Sequence, residues 1–218
     1  MTWLRHNTST ILDASWAHLR LAAPAILLSL LLALPLAWAA NRFRWSRFTL
    51  LLMTGLLYAV PSLPLFIMLP MMTGHSVREP VNVVAALTLY GLSLMVRSAA
   101  DALDTVPQAT TLSATALGYS GLRRFFSVDL PLSGPALLAG LRVVAVSTVS
   151  LVTVSGVLGV PSLGLLFTDG FQRGIVAEVV AGIVATVLLA VLVDLVLVGL
   201  GRLLMPWQRS RRPGQGVI

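Results

Sequence analysis

The sequence predicts an all-α integral membrane protein with about five transmembrane helices, and three observations carry that expectation. The first is composition. Of 218 residues, 57% are hydrophobic and only 11% are charged, with a mean hydropathy of +0.90, whereas a water-soluble domain needs roughly a quarter of its residues charged. The second is run length, because several apolar stretches approach or exceed the ~20 residues that cross ~30 Å of hydrocarbon as a helix. The third is that nearly all the arginines flank those stretches instead of interrupting them.

The spans follow in order. The first is "LAAPAILLSLLLALPLAWAA" at 21–40. "AWA" at 37–39 resembles a signal-peptide cleavage site, but the preceding region is long and carries Asp13, and the "NRFRWSR" that follows reads as a stop-transfer flank. The run is therefore read as a retained span. The second, 48–72, is interrupted by Pro61, Pro64 and Pro70, each of which removes a backbone donor. It is either one broken span or a helix plus a re-entrant piece, and six spans are the alternative count. The third, 81–96, is short and borrows Arg97 as a snorkelling end. The fourth runs from Pro135 to Val160 and the fifth from Ile175 to Gly201. No 20–50-residue repeat and no inverted halves are visible.

The arginines give an orientation. With the N-terminus outside, the segments 41–47, 97–130 and 202–218 hold ten arginines on the cytoplasmic side, and the outside segments hold four: Arg5, Arg20, Arg78 and Arg173. The expected organisation is an extracytoplasmic segment 1–20, a transmembrane domain 21–203 with a cytoplasmic loop at 97–131, and a basic cytoplasmic tail 204–218. That tail reads as a disordered end near anionic headgroups.

Two absences exclude functions. There is no Cys, so disulfides, thiolate catalysis and Cys-ligated metals are ruled out. All fifteen cations are Arg, so the chain lacks the Lys of a Walker A loop and of Schiff-base chemistry. A net charge of +7 would point to nucleic acid in a soluble protein; here it reports membrane topology. No catalytic residue and no metal site is expected, and His6, His18 and His75 have no ligand spacing.

The 97–131 loop is long for a connection without a job, since most are under ~15 residues. "RSAADALDTVPQATTLSATAL" reads as helical pieces broken at Pro107. Gly118 permits a positive φ and joins two short helices at an angle. Tyr119, Leu122, Phe125 and Phe126 then give an apolar, aromatic side, suited either to a groove on a partner or to the headgroup region.

The fourth span carries Ser147, Thr148, Ser150, Thr153 and Ser155, which either line a polar path or serve close packing and back-bonding. Pro61, Ser62 and Pro64 free carbonyls that could face a cavity. Arg142 and Asp194 lie inside spans and are read either as an ion relay or, in preference, as a packing pair. Glu178 reads as a solvated rim residue.

The spacing Gly118, nine residues, Val128, one residue, Leu130-Pro131 resembles the EAA loop of binding-protein-dependent ABC transporter permeases, E-A-A, three residues, G, nine residues, I-x-L-P. Leu112, Ser113 and Ala114 fall on the E-A-A positions and Val128 on the Ile. Leu112 replaces the motif glutamate. "VPSLPLFIMLP", "LPLSGPALLAGLR" and "VSGVLGVPSLGLLFTDG" are similar to segments of the glycine betaine, carnitine and choline permeases, so the likeness covers roughly 17–203. Two glycines of the last segment are replaced by Pro161 and Ser162, and "MVRSAADALDTVP" stands where that subfamily has an Arg-Asn-Thr segment, without its Asn.

The resemblance implies the permease subunit of an ABC importer in a bacterial inner membrane, with no cofactor of its own. ATP and Mg would bind a separate P-loop ATPase that grips Leu112, Ser113, Ala114, Gly118, Tyr119, Leu122, Arg123, Val128, Leu130 and Pro131. An extracytoplasmic solute-binding protein and a second permease chain, identical or not, complete the expected assembly. The implied solute is a quaternary-amine osmoprotectant. The alternatives are an amino acid such as methionine, or a gradient-driven secondary transporter. Pro61, Ser62, Pro64, Thr148, Ser150, Thr153 and Ser155 are the candidate path residues.

Overall fold

A computed structural model describes residues 6–74 and 76–207. His75 and the tail arginines Arg209, Arg211 and Arg212 lie outside the described residues. All regular structure among the described residues is helical. The long helices are α1 (Thr8–Arg42), α4 (Pro80–Asp104), α7 (Leu130–Ser155) and α9 (Val176–Leu204). Between them lie α2 (Arg44–Ala59), α3 (Ser62–Thr73), α5 (Gln108–Ala116), the short α6 (Gly121–Arg124) and α8 (Gly164–Gln172).

Among the described residues four helices are long and apolar enough to cross a membrane, and the bent pair 47–59 and 62–73 brings the number to five if it is one span. That pair turns by 102°, so the proline-broken run is a corner. Pro64 has no N–H to offer the carbonyl of Val60, four residues before it. That carbonyl accepts the Tyr90 hydroxyl from α4. A freed carbonyl expected to face a cavity is thus tied back into the bundle.

The helices outrun the apolar runs that predicted them. α1 begins at Thr8, well before residue 21, and α4 continues past Arg97 to Asp104. The extra turns of α4 bury Ala99, Ala100, Ala102 and Leu103. They also present Asp104 to Arg47, whose guanidinium donates to both carboxylate oxygens at 2.6 and 3.3 Å. Asn41 accepts from Arg47 at 2.7 Å and donates to Asp104 and to the Ala100 carbonyl at 3.1 Å. One polar knot therefore binds the adjoining ends of α1, α2 and α4.

α4 is the central helix, with 61% of its apolar window buried against 6% for α9. Lipid offers no hydrophobic drive for helix association, so close backbone approach through small residues has to supply it. A Cβ on Gly91 would lie 2.8 Å from Cβ of Ser29 on α1, and one on Gly140 would lie 2.6 Å from Cβ of Ser98 on α4. These two small-residue crossings set α1, α4 and α7 side by side. His18 adds a tether: its Nε2–H donates to the Val149 carbonyl at 2.9 Å and its Nδ1 accepts the Leu163 N–H at 3.3 Å. The ring is fully buried and joins α1, α7 and the corner before α8.

Arg142 and Asp194 form a two-point ion pair, Nε to Oδ1 at 2.6 Å and Nη2 to Oδ2 at 2.7 Å. The pair fastens the otherwise peripheral α9 to α7, in agreement with the packing reading. Glu178 differs from expectation. Instead of a solvated rim residue it is 4% exposed, because α8 folds back over the first turn of α9.

The tightest approach lies at the turn from α7 to α8, where a Cβ on Gly164 would fall 1.9 Å from the Thr153 carbonyl oxygen. Backbone cannot yield as a flexible side chain can, so Gly164→Ala should cost about 3 kcal/mol or more. Gly199→Ala, with nothing within 4 Å of the new carbon, should be neutral or slightly stabilising. Thermal unfolding of the two variants in the same detergent checks this contrast.

Candidate functional site

The segment between α4 and α7 spans 105–129, because 97–104 belongs to α4. Pro107 starts α5, as its break suggested. α5 ends in a Schellman motif, with Gly118 N–H on the Thr115 carbonyl at 3.0 Å and Tyr119 N–H on the Ala114 carbonyl at 3.1 Å. Gly118 has φ +85°, the left-handed conformation that a residue without Cβ adopts freely. Ser120 then caps α6, its hydroxyl accepting the Arg123 N–H at 3.4 Å.

Between α6 and α7 the chain makes one π-helical turn, Phe125–Asp129. Such turns change the register of the side chains on either side. Here the turn brings Arg124 and Asp129, five residues apart, into an ion pair at 3.1 Å. Arg124 also reaches the Thr115 hydroxyl at 3.4 Å. The turn drives Phe125 inward, 4% exposed and edge-on to Trp38 of α1 at 6.3 Å between centroids. Leu130 continues into α7 without a break, and Pro131 sits in the first turn of α7, directly after the π turn.

The segment is thus rooted through Ala114, Phe125 and Asp129, and it presents an outer surface. Leu112 is 60% exposed, Leu117 79%, Leu122 60% and Phe126 63%. Ser113 is exposed and bonds back to the Ala109 carbonyl. Arg123 lies over the Tyr119 ring at 4.7 Å and places its charge beside the apolar residues. Val128, Leu130 and Pro131 are half-buried at the root. Beneath the segment is a cavity of about 540 Å³ bounded by Trp38, Arg42, Asp104, Gln108, Arg124 and Asp129.

The hydroxyls of α7 divide between two faces. Thr148 and Ser155, seven residues apart, are buried, and Ser155 bonds back to the Val152 carbonyl at 2.7 Å. Ser150 is exposed and Thr153 half-exposed on the opposite face, with Thr153 donating to the Ser150 carbonyl at 2.6 Å. Pro61 and Pro64 are exposed at the α2–α3 corner and Ser62 is half-buried. The candidate path residues therefore do not form one stripe. Among the described residues no three His, Asp or Glu side chains could hold a metal ion.

Residue patterns missed the Arg124–Asp129 pair, because a spacing of five places two residues on different faces of an α-helix and on one face only across a π turn. They also left Phe125 and Phe126 equivalent, whereas one is a root and the other a surface.

A bundle of four or five apolar helices, with a rooted, apolar-faced segment projecting from one end, defines a membrane permease built to be engaged from outside the bilayer. Comparison bears this out: the chain belongs to the family of the binding-protein-dependent transport system inner membrane component, matched over residues 25–210. It is 28% identical to the osmoprotectant import permease protein OsmW of Salmonella typhimurium over 207 residues, 94% of this chain and 96% of that one. It is 24% identical to the glycine betaine/carnitine/choline transport system permease protein OpuCD of Bacillus subtilis, over 96% of this chain and 91% of the relative. Its fold matches a chain of the MetNI methionine ABC transporter with a TM-score of 0.79 and 18% identity, covering 94% of this chain and 97% of that one.

If Arg124 braces the segment, Arg124→Ala strands Asp129, which is 8% exposed and has one carboxylate oxygen, Oδ1, without any partner. With the arginine 30% exposed, solvent screening reduces the loss to about 1–3 kcal/mol. Hydrogen exchange across 120–131 should accelerate in Arg124→Ala and recover in the double variant Arg124→Leu/Asp129→Leu. Unchanged exchange in the single variant would contradict the brace.

Proposed function

We propose that this chain is the permease subunit of an ABC importer for a quaternary-amine osmoprotectant such as glycine betaine, choline or carnitine. The observation that carries the coupling part of this reading is the rooted segment 105–129 with its exposed Leu112, Leu117, Leu122 and Phe126. A P-loop ATPase binds this surface, with ATP and Mg held by that subunit. Of the residues expected to couple to the ATPase, Leu112, Ser113, Gly118, Tyr119, Leu122 and Arg123 lie on this surface, and Ala114, Val128, Leu130 and Pro131 form the root that holds it.

Magnitudes shape the assembly. Burying four large side chains that are mostly exposed yields roughly 4–8 kcal/mol, which is comparable to the cost of association itself. One segment alone therefore binds weakly. Two permease chains, each offering its segment to one ATPase dimer, reach a stable complex through effective concentration. Leu112 in the place of the motif glutamate fits docking by shape and apolar contact.

The segment lies on the cytoplasmic side in this reading, supported by the ten-to-four arginine bias in the sequence. ATP closes the ATPase dimer and draws the two segments together, and α7, continuous with the segment, carries the displacement into the bundle. Moving such a gate from 1:99 to 99:1 needs about 5.5 kcal/mol of differential binding. An extracytoplasmic binding protein delivers the solute and recognises its quaternary ammonium by aromatic faces. The names of the OsmW and OpuCD relatives support the solute class, whereas the likeness to the methionine transporter concerns fold alone.

The test is co-purification. The tagged chain, gently solubilised from its native membrane, should bring down a P-loop ATPase. Gly118→Trp, once checked to insert normally, cannot keep φ +85° and should lose at least about tenfold of it, a change worth ~1.4 kcal/mol. An ATPase bound equally by both would move the docking surface elsewhere. Absence of an ATPase from an intact complex would favour a gradient-driven transporter.

A further inference from the structure

At the end of α1 remote from the 105–129 segment, some 28 residues and about 40 Å away along the helix, lies a second cavity of about 570 Å³. It is enclosed by the start of α1, the 161–166 corner, α8 and the first turn of α9. Among the described residues three carboxylates line it, Asp13, Asp169 and Glu178, with Arg173 as the single guanidinium. Asp13 and Asp169 are exposed at its rim and make no ion pair among the described residues.

Glu178 is the unusual member. Its side chain is 5% exposed, and its Oε2 is buried without a hydrogen-bond partner among the described residues. Arg173 Nη1 stands 3.7 Å from that oxygen, too far for a hydrogen bond, while the rest of its side chain is 63% exposed. A buried carboxylate oxygen with no donor is costly, and a charge-assisted N–H would relieve it. One arginine against three carboxylates gives the described lining a formal charge of −2.

We propose that this cavity is a binding site for an organic cation that carries N–H donors, a primary ammonium or a guanidinium, with Glu178 as its buried acceptor. The proposal is independent of the solute reading, and the lining argues that it concerns different chemistry. Among the described residues no aromatic side chain lines the cavity, so these residues offer no faces to hold a quaternary ammonium. A quaternary ammonium also has no N–H to give Glu178. No three carboxylate or imidazole groups converge there for a metal ion among the described residues. Two sources supply the required group at a helix-end depth: the headgroup of phosphatidylethanolamine, whose phosphate would meet Arg173, or a soluble amine.

The test uses the full chain in phosphatidylcholine nanodiscs, a lipid without N–H donors, titrated calorimetrically with agmatine and separately with tetramethylammonium. Agmatine should bind saturably and tetramethylammonium should not. Glu178→Gln should weaken agmatine by about tenfold or more, as loss of a charged hydrogen-bond partner does. Arg173→Gln should tighten it, because the competing guanidinium is gone, and a gain of affinity cannot arise from misfolding. Nanodiscs containing phosphatidylethanolamine separate the sources: weakened agmatine binding that depends on Glu178 identifies the lipid headgroup, and unchanged binding identifies a soluble amine. Absent agmatine binding, equal binding by Glu178→Gln, or equal binding of tetramethylammonium would overturn the proposal.

Discussion

Everything else in the bundle depends on the contact of α4 with α1 on one side and α7 on the other through small residues. Gly91 against Ser29 and Gly140 against Ser98 leave no room for a Cβ on either glycine. In a medium where apolar surface gains nothing by meeting other apolar surface, such packing is the main source of helix–helix attraction. It fixes a three-helix slab. α2 joins the slab through Arg47 and its partners, and α9 joins it through the Arg142–Asp194 pair. The two ion pairs are fasteners for peripheral parts, while the close crossings are the frame.

The frame gives the projecting segment its mechanical meaning. α7 is one piece of helix from Leu130 to Ser155, and the π turn joins it to α6 with no intervening coil. Phe125 is pinned to Trp38, and Arg124 is pinned to Asp129 and Thr115. A force on the exposed leucines therefore meets a rigid lever and is not absorbed in a loose loop. At the far end of the same helix the chain turns through Gly156 and Gly164 in direct backbone contact, and His18 ties that turn to α1. Both ends of α7 are thus anchored to α1, and displacement at one end is felt at the other.

Much of this was legible in the sequence, for identifiable reasons. Apolar runs located the long helices, because only helices satisfy their backbone groups inside lipid. Pro107 and Gly118 marked their breaks correctly, since both act through local backbone geometry. Boundaries were less legible where the polar residues of a helix are satisfied by tertiary partners: Asp101 and Asp104 read as loop, yet they extend α4 toward Arg47. Pro131 closed the expected 97–131 loop and stands in the first turn of α7. Arg124–Asp129 was invisible because its spacing has meaning only across a π turn. The burial of Glu178 was invisible because it depends on α8 folding back, which no periodicity encodes.

ATP as the energy source for solute movement through this chain is the central proposal. The direct measurement is uptake of radiolabelled glycine betaine and choline into proteoliposomes holding the chain with the ATPase that co-purifies with it, and the proposed solute-binding protein outside. ATP is enclosed in one set, and a proton or sodium gradient is imposed on another. The account predicts uptake that requires both enclosed ATP and the binding protein, and none driven by either gradient alone. Gradient-driven uptake that ignores ATP would contradict it.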